Sequence, residues 1–329
     1  MQISEIPTAE TRARKAGGLK SQALLALKLG VTLGLLAWLF RDFDLASLTS
    51  VWDRVSVGWF AAALALQFLA YAIGVLRWWL LLRRANVRVP YLSVKPAYYL
   101  GLFFNQLLPT GVGGDAVRTY RLYKRGLGAR PLVGSALMDR LIGTFSLIVL
   151  AVAALFLTDA FALSRRDLGL LTGIAVLLGV LFVLLFSPRV HDWLQRPLGR
   201  HRHTPWVKAI SDIIELCHSY GKAPGLLMIA LVLSIVMQSI EVFIYMSLGH
   251  DLGLGLPMGS YFAVVPLALM AAGLPISLGG LGVREGVLVG LLVFMGADRQ
   301  TALAVAVLFL MVVWTSVLPG LLLFLRGKH

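Results

Sequence analysis

Six apolar runs, at about 19–40, 57–82, 132–157, 168–187, 226–248 and 301–325, dominate this chain of 329 residues. Each approaches the ~20 residues with which a helix crosses a hydrocarbon layer of ~30 Å. No water reaches that layer to satisfy backbone amides and carbonyls, so each run is read as a transmembrane helix. The fold class is therefore all-α and polytopic, and the mean hydropathy of +0.82 agrees. The polar stretches are a tail at 1–18 and a segment at about 187–225, leaving 19–329 as one membrane domain. Arg12, Arg14 and Lys15 precede the first run, which ends in "AWLFRDFD" without a small-x-small cleavage site, so it reads as a retained span. The single cysteine, Cys217, excludes an intramolecular disulfide framework.

The net charge of +14 follows membrane topology. With the N-terminus inside, most Lys and Arg residues fall in the tail, in 77–95, 118–130 and 189–222, and at the C-terminus. The exterior loops keep Arg41, Arg54, Arg165, Arg166 and Arg299. That asymmetry is the positive-inside rule, and it sets both termini on the cytoplasmic side of a cell membrane. The basic charge is assigned to orientation and to anionic headgroups, with no nucleic-acid partner.

Two stretches interrupt the apolar pattern in the same way. "LPTGVGGDAVR" at 108–118 and "LPISLGGLGVR" at 274–284 share Leu, Pro, Gly-Gly, Val and Arg at identical spacing. The first is entered and left through basic, cytoplasmic sequence; the second is entered and left from the exterior. Both read as tips of re-entrant hairpins, one from each face. The chain then divides into two units of span, span, hairpin, span, at about 19–160 and 165–326. Three crossings per unit invert the second, the plan of many secondary transporters.

Irregular backbone at membrane depth persists only where protein buries it or a wet cavity meets it. Glycines allow sharp turns and close approach, free N–H groups at helix starts attract anions, and a guanidinium forks onto phosphate. Gly113, Gly114 and Arg118, with Gly279, Gly280 and Arg284, thus read as a cradle for a phospholipid headgroup. They read equally as packing glycines whose arginines pair with acids. Asp115 lies three residues before Arg118, Glu285 follows Arg284, and Asp139 beside Arg140 reads as a structural ion pair. Glu241, in "VMQSIEVFIY", has no basic neighbour in sequence. It would bind a cationic headgroup, carry a coupling proton or bond a neighbouring helix. Asn105 and Gln106 would line the same cavity or bond between helices. In 205–221, Trp206, Ile210, Ile213, Cys217 and Tyr220 share a helical face opposite Lys208, Asp212, Glu215 and Ser219, as in an interfacial amphipathic helix or a short polar loop helix.

Other patterns fail in context. "GVGGDA" fits a dinucleotide loop, but no strand precedes it. "DFD" at 42–44 faces outward, away from nucleotide-sugar donors. His191, His201 and His203 sit with Asp192 in a basic, solvated segment and set up no metal site. No catalytic motif emerges, and neither cofactor nor metal is expected.

The combination "GLFFNQLLPTGVGGDAVRTYRLYKRG", "SALMDRLIG" and "GLPISLGGLGVREG" resembles the lysylphosphatidylglycerol synthase transmembrane-region family over about residues 20–325. That family includes the flippase half of multiple-peptide-resistance factors. The resemblance implies a flippase-like protein that moves a lipid between leaflets: an anionic or aminoacylated phospholipid, a hopanoid or a polyprenyl-linked lipid. On the matching positions its motif residues are Asn105, Pro109, Gly113, Gly114, Asp115 and Arg118; Asp139 and Arg140; and Pro275, Gly279, Gly280, Arg284 and Glu285. Full-length synthases of this type carry a soluble aminoacyl-transferase domain, which this sequence does not contain. The expected function is therefore translocation, with partnership to a lipid-modifying enzyme, or transfer onto a lipid phosphate, as alternatives.

Overall fold

The computed structural model describes residues 26–39, 41, 55–108, 112–157, 165–200, 204–274 and 276–327. The 1–18 tail, the 42–44 acids, Pro109, Pro275, His201 and His203 lie outside them. The described residues contain helices and no strand. Helix α1 is Ala26–Leu39. It is followed by α2 (Val57–Arg84), α3 (Tyr91–Leu107), α4 (Gly113–Tyr123) and α5 (Ala129–Leu157). The second half has α6 (Arg165–Leu185), α7 (Pro188–Arg200), α8 (Pro205–Gly221) and α9 (Pro224–Asp251). It ends with α10 (Met258–Ala272), a 3₁₀ turn at Leu278–Gly280, α11 (Val283–Phe294) and α12 (Arg299–Leu325).

Four of these helices, α2, α5, α9 and α12, are long and apolar enough to cross a bilayer. The fourth expected run does not end cleanly at the surface. Its segment Thr172–Leu185 bends by 77° into Pro188–Arg196, a pair that brings the candidate spans to at most five. Ser187–Pro188 causes the break, since proline cannot continue the ladder of the helix before it. Helix α7, expected as a solvated basic segment, is the product of that turn.

The two halves repeat. Helices α2 and α9 both have 28 residues. Their starts, at 57 and 224, differ by 167, as do those of α3 and α10 at 91 and 258. The starts of α4 and α11, at 113 and 283, differ by 170, as do those of α5 and α12 at 129 and 299. Contacts between the equivalent helices α2 and α9 fix their relative direction. The Ser56 amide donates to Asp251 at 3.0 Å, Gln67 bonds Glu241, and Arg77 donates to Ser234 at 2.6 Å. As one number rises the other falls, so the equivalent helices run antiparallel and the repeat is inverted. The halves also exchange partners, α3 packing on α12 and α10 on α5.

Both interruptions fold back as hairpins. A side chain at Gly114 would collide with the Gly101 carbonyl and the Asn105 side chain, and one at Gly101 would meet the Gly114 carbonyl at 2.8 Å. The Gly114 amide donates to Asn105 Oδ1 at 2.9 Å, closing the hairpin between α3 and α4. In the second hairpin, Gly280 lies against Ala272 at the end of α10. The tips meet: a Cβ at Gly279 would stand 2.8 Å from the Asn105 carbonyl oxygen and 3.0 Å from that of Gln106. Helix α1 covers the second tip, where Thr32 Oγ1 accepts from the Leu278 amide at 3.0 Å.

Helix α8 forms where expected, with a rotated face. Val207, Ser211, Ile214, Cys217 and Tyr220 are buried, while Ile210 and Ile213 remain exposed. Tyr220 anchors it by donating to the Leu81 carbonyl at 2.9 Å.

Two outcomes follow. Gly114→Ala should cost about 3 kcal/mol or prevent stable accumulation, since neither the Gly101 backbone nor the crossing of α3 and α4 can give way; thermal unfolding in detergent measures it. In a Cys217→Ala background, cysteines at His250 and Asp298 should label from the same side of the membrane, and opposite labelling would contradict the second hairpin.

Candidate functional site

The first motif opens α4, and its geometry places charges at the meeting of α2, α3, α4 and α5. Asp139, on α5, accepts from Arg77 at 2.7 Å and from Arg118 at 3.0 Å. Arg118 also pairs with Asp115 at 2.8 Å, and Asp115 in turn with Arg140 at 2.9 Å. These contacts form one chain, Arg77–Asp139–Arg118–Asp115–Arg140. The Arg118 guanidinium lies over the Trp78 ring at 4.4 Å and the Tyr98 ring at 5.2 Å. Trp78 is held in turn by its indole N–H donating to Ser135 at 3.2 Å.

The expected pairing of Asp139 with Arg140 is corrected by this arrangement. Consecutive residues on a helix point about 100° apart, so the two side chains look into different spaces. Asp139 turns to Arg77 and Arg118, and Arg140 turns to Asp115. A second correction concerns Arg77, assigned by charge counting to a cytoplasmic loop. It is buried in α2 and donates to both Asp139 and Ser234. Its signal was its place inside the apolar run 57–82, well before the Arg83–Arg84 pair that ends α2.

Arg77, Asn105, Asp115, Arg118, Asp139 and Arg140 line a cavity of about 450 Å³. Its remaining walls include Tyr98, Gln238 and, from the start of the second motif, Gly273 and Leu274. Two buried polar atoms of the lining have no hydrogen-bond partner, Arg118 Nε and Gln238 Oε1. Gln238 is fixed by its amide nitrogen donating to the Gly143 carbonyl at 2.8 Å. Three guanidiniums face two carboxylates in this chain of pairs, so the cavity carries a net positive charge. The two links differ in access: the Arg77 and Asp139 side chains are 6% and 5% exposed, those of Arg140 and Asp115 33% and 18%.

Asp115 and Arg140 also line a second space of about 400 Å³ between α4 and the start of α5. The rest of that wall is mainly apolar, including Val112, Ala116, Leu132, Val133 and Leu137. A polar chamber and a greasy groove thus share one ion pair.

The second motif builds something different. In the first copy the helix starts at Gly113; in the second it starts at Val283, four residues later in the shared pattern. Gly279, Gly280 and Gly282 take positive φ, which occupies those four residues with a turn. Arg284 therefore sits in the first turn of α11, where Glu285 binds it at 2.6 Å and caps the Gly282 amide at 2.8 Å. Phe309 packs 5.2 Å from the Arg284 guanidinium. Glu241, on α9, bonds Gln67 and lies within electrostatic reach of Arg284. The expectation that Arg118 and Arg284 share one pocket is corrected: Arg284, Glu285 and Glu241 are absent from the cavity lining. Gly114, Gly279 and Gly280 leave no room for a Cβ, Gly113 is buried at the start of α4, and Asn105 both lines the cavity and closes its hairpin.

Sequence reasoning also missed Ser234 and Gln238. They precede Glu241 at helical spacing on α9, a polar stripe in an apolar segment, and that period was their signal. Among the described residues no group of three or more His, Cys, Asp or Glu side chains is placed to hold a metal ion. His191 bonds Asp192 at 3.0 Å and stacks on His218 at 4.2 Å.

Comparison with known proteins bears on this site. The family described as "Lysylphosphatidylglycerol synthase TM region" matches residues 25–320. A UPF0104 membrane protein of Methanothermobacter thermautotrophicus is 24% identical over 267 residues, covering 74% of this chain and 78% of the relative. A UPF0104 membrane protein of Pyrococcus horikoshii is 22% identical over 303 residues, covering 84% and 89%.

The two links of the charge chain should respond unequally to neutralisation. Asp139→Asn strands two buried guanidiniums and should cost ~3–5 kcal/mol, whereas Asp115→Asn, nearer solvent, should cost about 1 kcal/mol. Melting temperatures of the two variants in one detergent give the order, and an equal or larger fall for Asp115→Asn would contradict it.

Proposed function

The chain belongs to the lysylphosphatidylglycerol synthase transmembrane-region family, and from that premise we propose that it is a lipid translocase of the cytoplasmic membrane, with both termini in the cytoplasm. The observation that carries the reading is the amphiphilic shape of the site. An arginine-lined chamber of about 450 Å³ joins an apolar groove of about 400 Å³ at the Asp115–Arg140 pair. A phospholipid has the same division, a charged phosphate on an apolar tail.

In this reading Arg140, more exposed than Arg77 and Arg118, takes the phosphate first. Its carboxylate partner Asp115 is released toward Arg118, to which it is already bonded. The headgroup then reaches Arg118 Nε and the Gln238 side-chain oxygen, whose unsatisfied bonding capacity favours a ligand with both acceptors and donors. The acyl chains stay in the groove or in the surrounding bilayer. The cargo class this favours is a lipid with an anionic phosphate, alone or with an amino or hydroxyl group beside it. The inverted repeat supports passage between leaflets, because its halves can exchange roles when one rocks against the other.

A second reading, a membrane partner of a lipid-modifying enzyme, is favoured by the family's description as the membrane region of a synthase. The experiment that separates them is transport by the purified protein in vesicles carrying headgroup-labelled phosphatidylglycerol. Translocation requires a rate well above that of empty vesicles, reduced at least tenfold by Arg140→Ala, the value of a lost charge-assisted hydrogen bond of ~1.5–3 kcal/mol. Rates equal to empty vesicles for anionic, zwitterionic and aminoacylated lipids alike would refute transport and leave the partner reading.

A further inference from the structure

A third space lies apart from the charge chain, on the far side of α3. It has a volume of about 560 Å³, and its walls include Phe68 and Ala72 of α2, Tyr99 of α3 and Leu322 of α12. Lys95 and Arg326 also line it. Lys95 stands near the start of α3 and Arg326 caps the end of α12, so both cations lie at the same end of the bundle. Among the described residues this lining holds no carboxylate. Helix α3 begins at Pro90 without a side-chain cap, which leaves the positive end of its dipole facing the same region. Both flanking helices carry an internal proline on the groove, Pro96 and Pro319. Neither ring can pack as a continuous helix turn, and the groove lies between them.

The repeat provides an internal comparison. Applying the 167-residue offset to Lys95 gives Phe262, and applying the 170-residue offset to Arg326 gives Phe156. The same offset takes Pro96 to Ala263, and α10 carries its own internal proline three residues further on, at Pro266. The scaffold therefore repeats the kinked helix and its neighbour, but the paired cations occur in one half only. They are not a requirement of the fold.

We infer that this groove is a binding site for one acidic phospholipid, its phosphate held between Lys95 and Arg326 and an acyl chain laid along Phe68, Ala72, Tyr99 and Leu322. Basic pockets between transmembrane helices recognise anionic headgroups by charge. The site differs from the transport cavity in having no acid to compensate its cations and, beyond the Tyr99 phenol, no buried polar side chain to read a headgroup. It selects charge over headgroup identity, as suits a resident lipid filling the seam between the first hairpin and α12. It does not depend on the protein being a translocase.

The test is native mass spectrometry of the detergent-purified chain titrated with phosphatidylglycerol or phosphatidylcholine. The wild type should retain one tightly held phosphatidylglycerol and bind phosphatidylcholine at least tenfold more weakly at that step. The double variant Lys95→Gln/Arg326→Gln should lose that preference, weakening the step at least tenfold. Ala72→Trp, which fills the groove and leaves both cations in place, should lose the lipid as well. Arg118→Ala, in the transport cavity, should keep it. Retention of the tight phosphatidylglycerol in either groove variant that remains folded, or its loss in folded Arg118→Ala alone, would overturn the proposal. So would equal retention of the two lipids by the wild type.

Discussion

Asp139, held between Arg77 and Arg118, is the contact on which the rest of this structure depends. It joins α5 to α2 and to the inner arm of the first hairpin, and through Arg77 and Ser234 it reaches α9 of the other half. Charges of either sign are costly at membrane depth, and a pair survives there only when every member is compensated. A single carboxylate that serves two guanidiniums cannot move without exposing both. The chain of pairs thus fixes the interior end of the hairpin, while its outer end, Asp115 with Arg140, lies nearer solvent.

Close backbone packing makes that electrostatic arrangement possible. The approach of Gly101 to Gly114 sets α4 against α3 and so determines the depth at which Arg118 meets Asp139. The contact of Gly279 with the end of α3 ties the second hairpin to the first. Cross-packing of each hairpin on the last span of the other half means that neither half completes its own core. A hairpin displaced alone would lose packing against both halves.

Much of the fold was legible because its causes are local. Apolar runs of about span length and the repeated motif each act over a few tens of residues, and they yielded the corresponding helices and hairpins. The hidden parts were those where partners are distant in sequence. Asp139 and Arg140 read as a pair because they are adjacent, yet helix geometry sends them apart. Arg77 read as loop charge because counting charges ignores depth. The rotated buried face of α8 depended on which neighbours that helix would meet. Ser234 and Gln238 mark themselves by period alone, and their role appears only when α5 and α2 are set beside them.

The sequence by itself determined the class of the protein, the inverted order of its elements and the identity of its conspicuous charged residues, because hydropathy, charge bias and repeat are properties of one chain segment at a time. Tertiary structure decided which charges meet. Two motifs with the same spacing became different objects: α4 begins at its Gly-Gly pair, while in the second copy positive-φ glycines delay α11 by four residues. Arg118 is thereby carried into a shared cavity and Arg284 is held at a helix start by its own neighbour. The physical reason is that electrostatic partnership falls off over a few ångströms, and distances of that order are set by packing, which spacing along the chain does not encode.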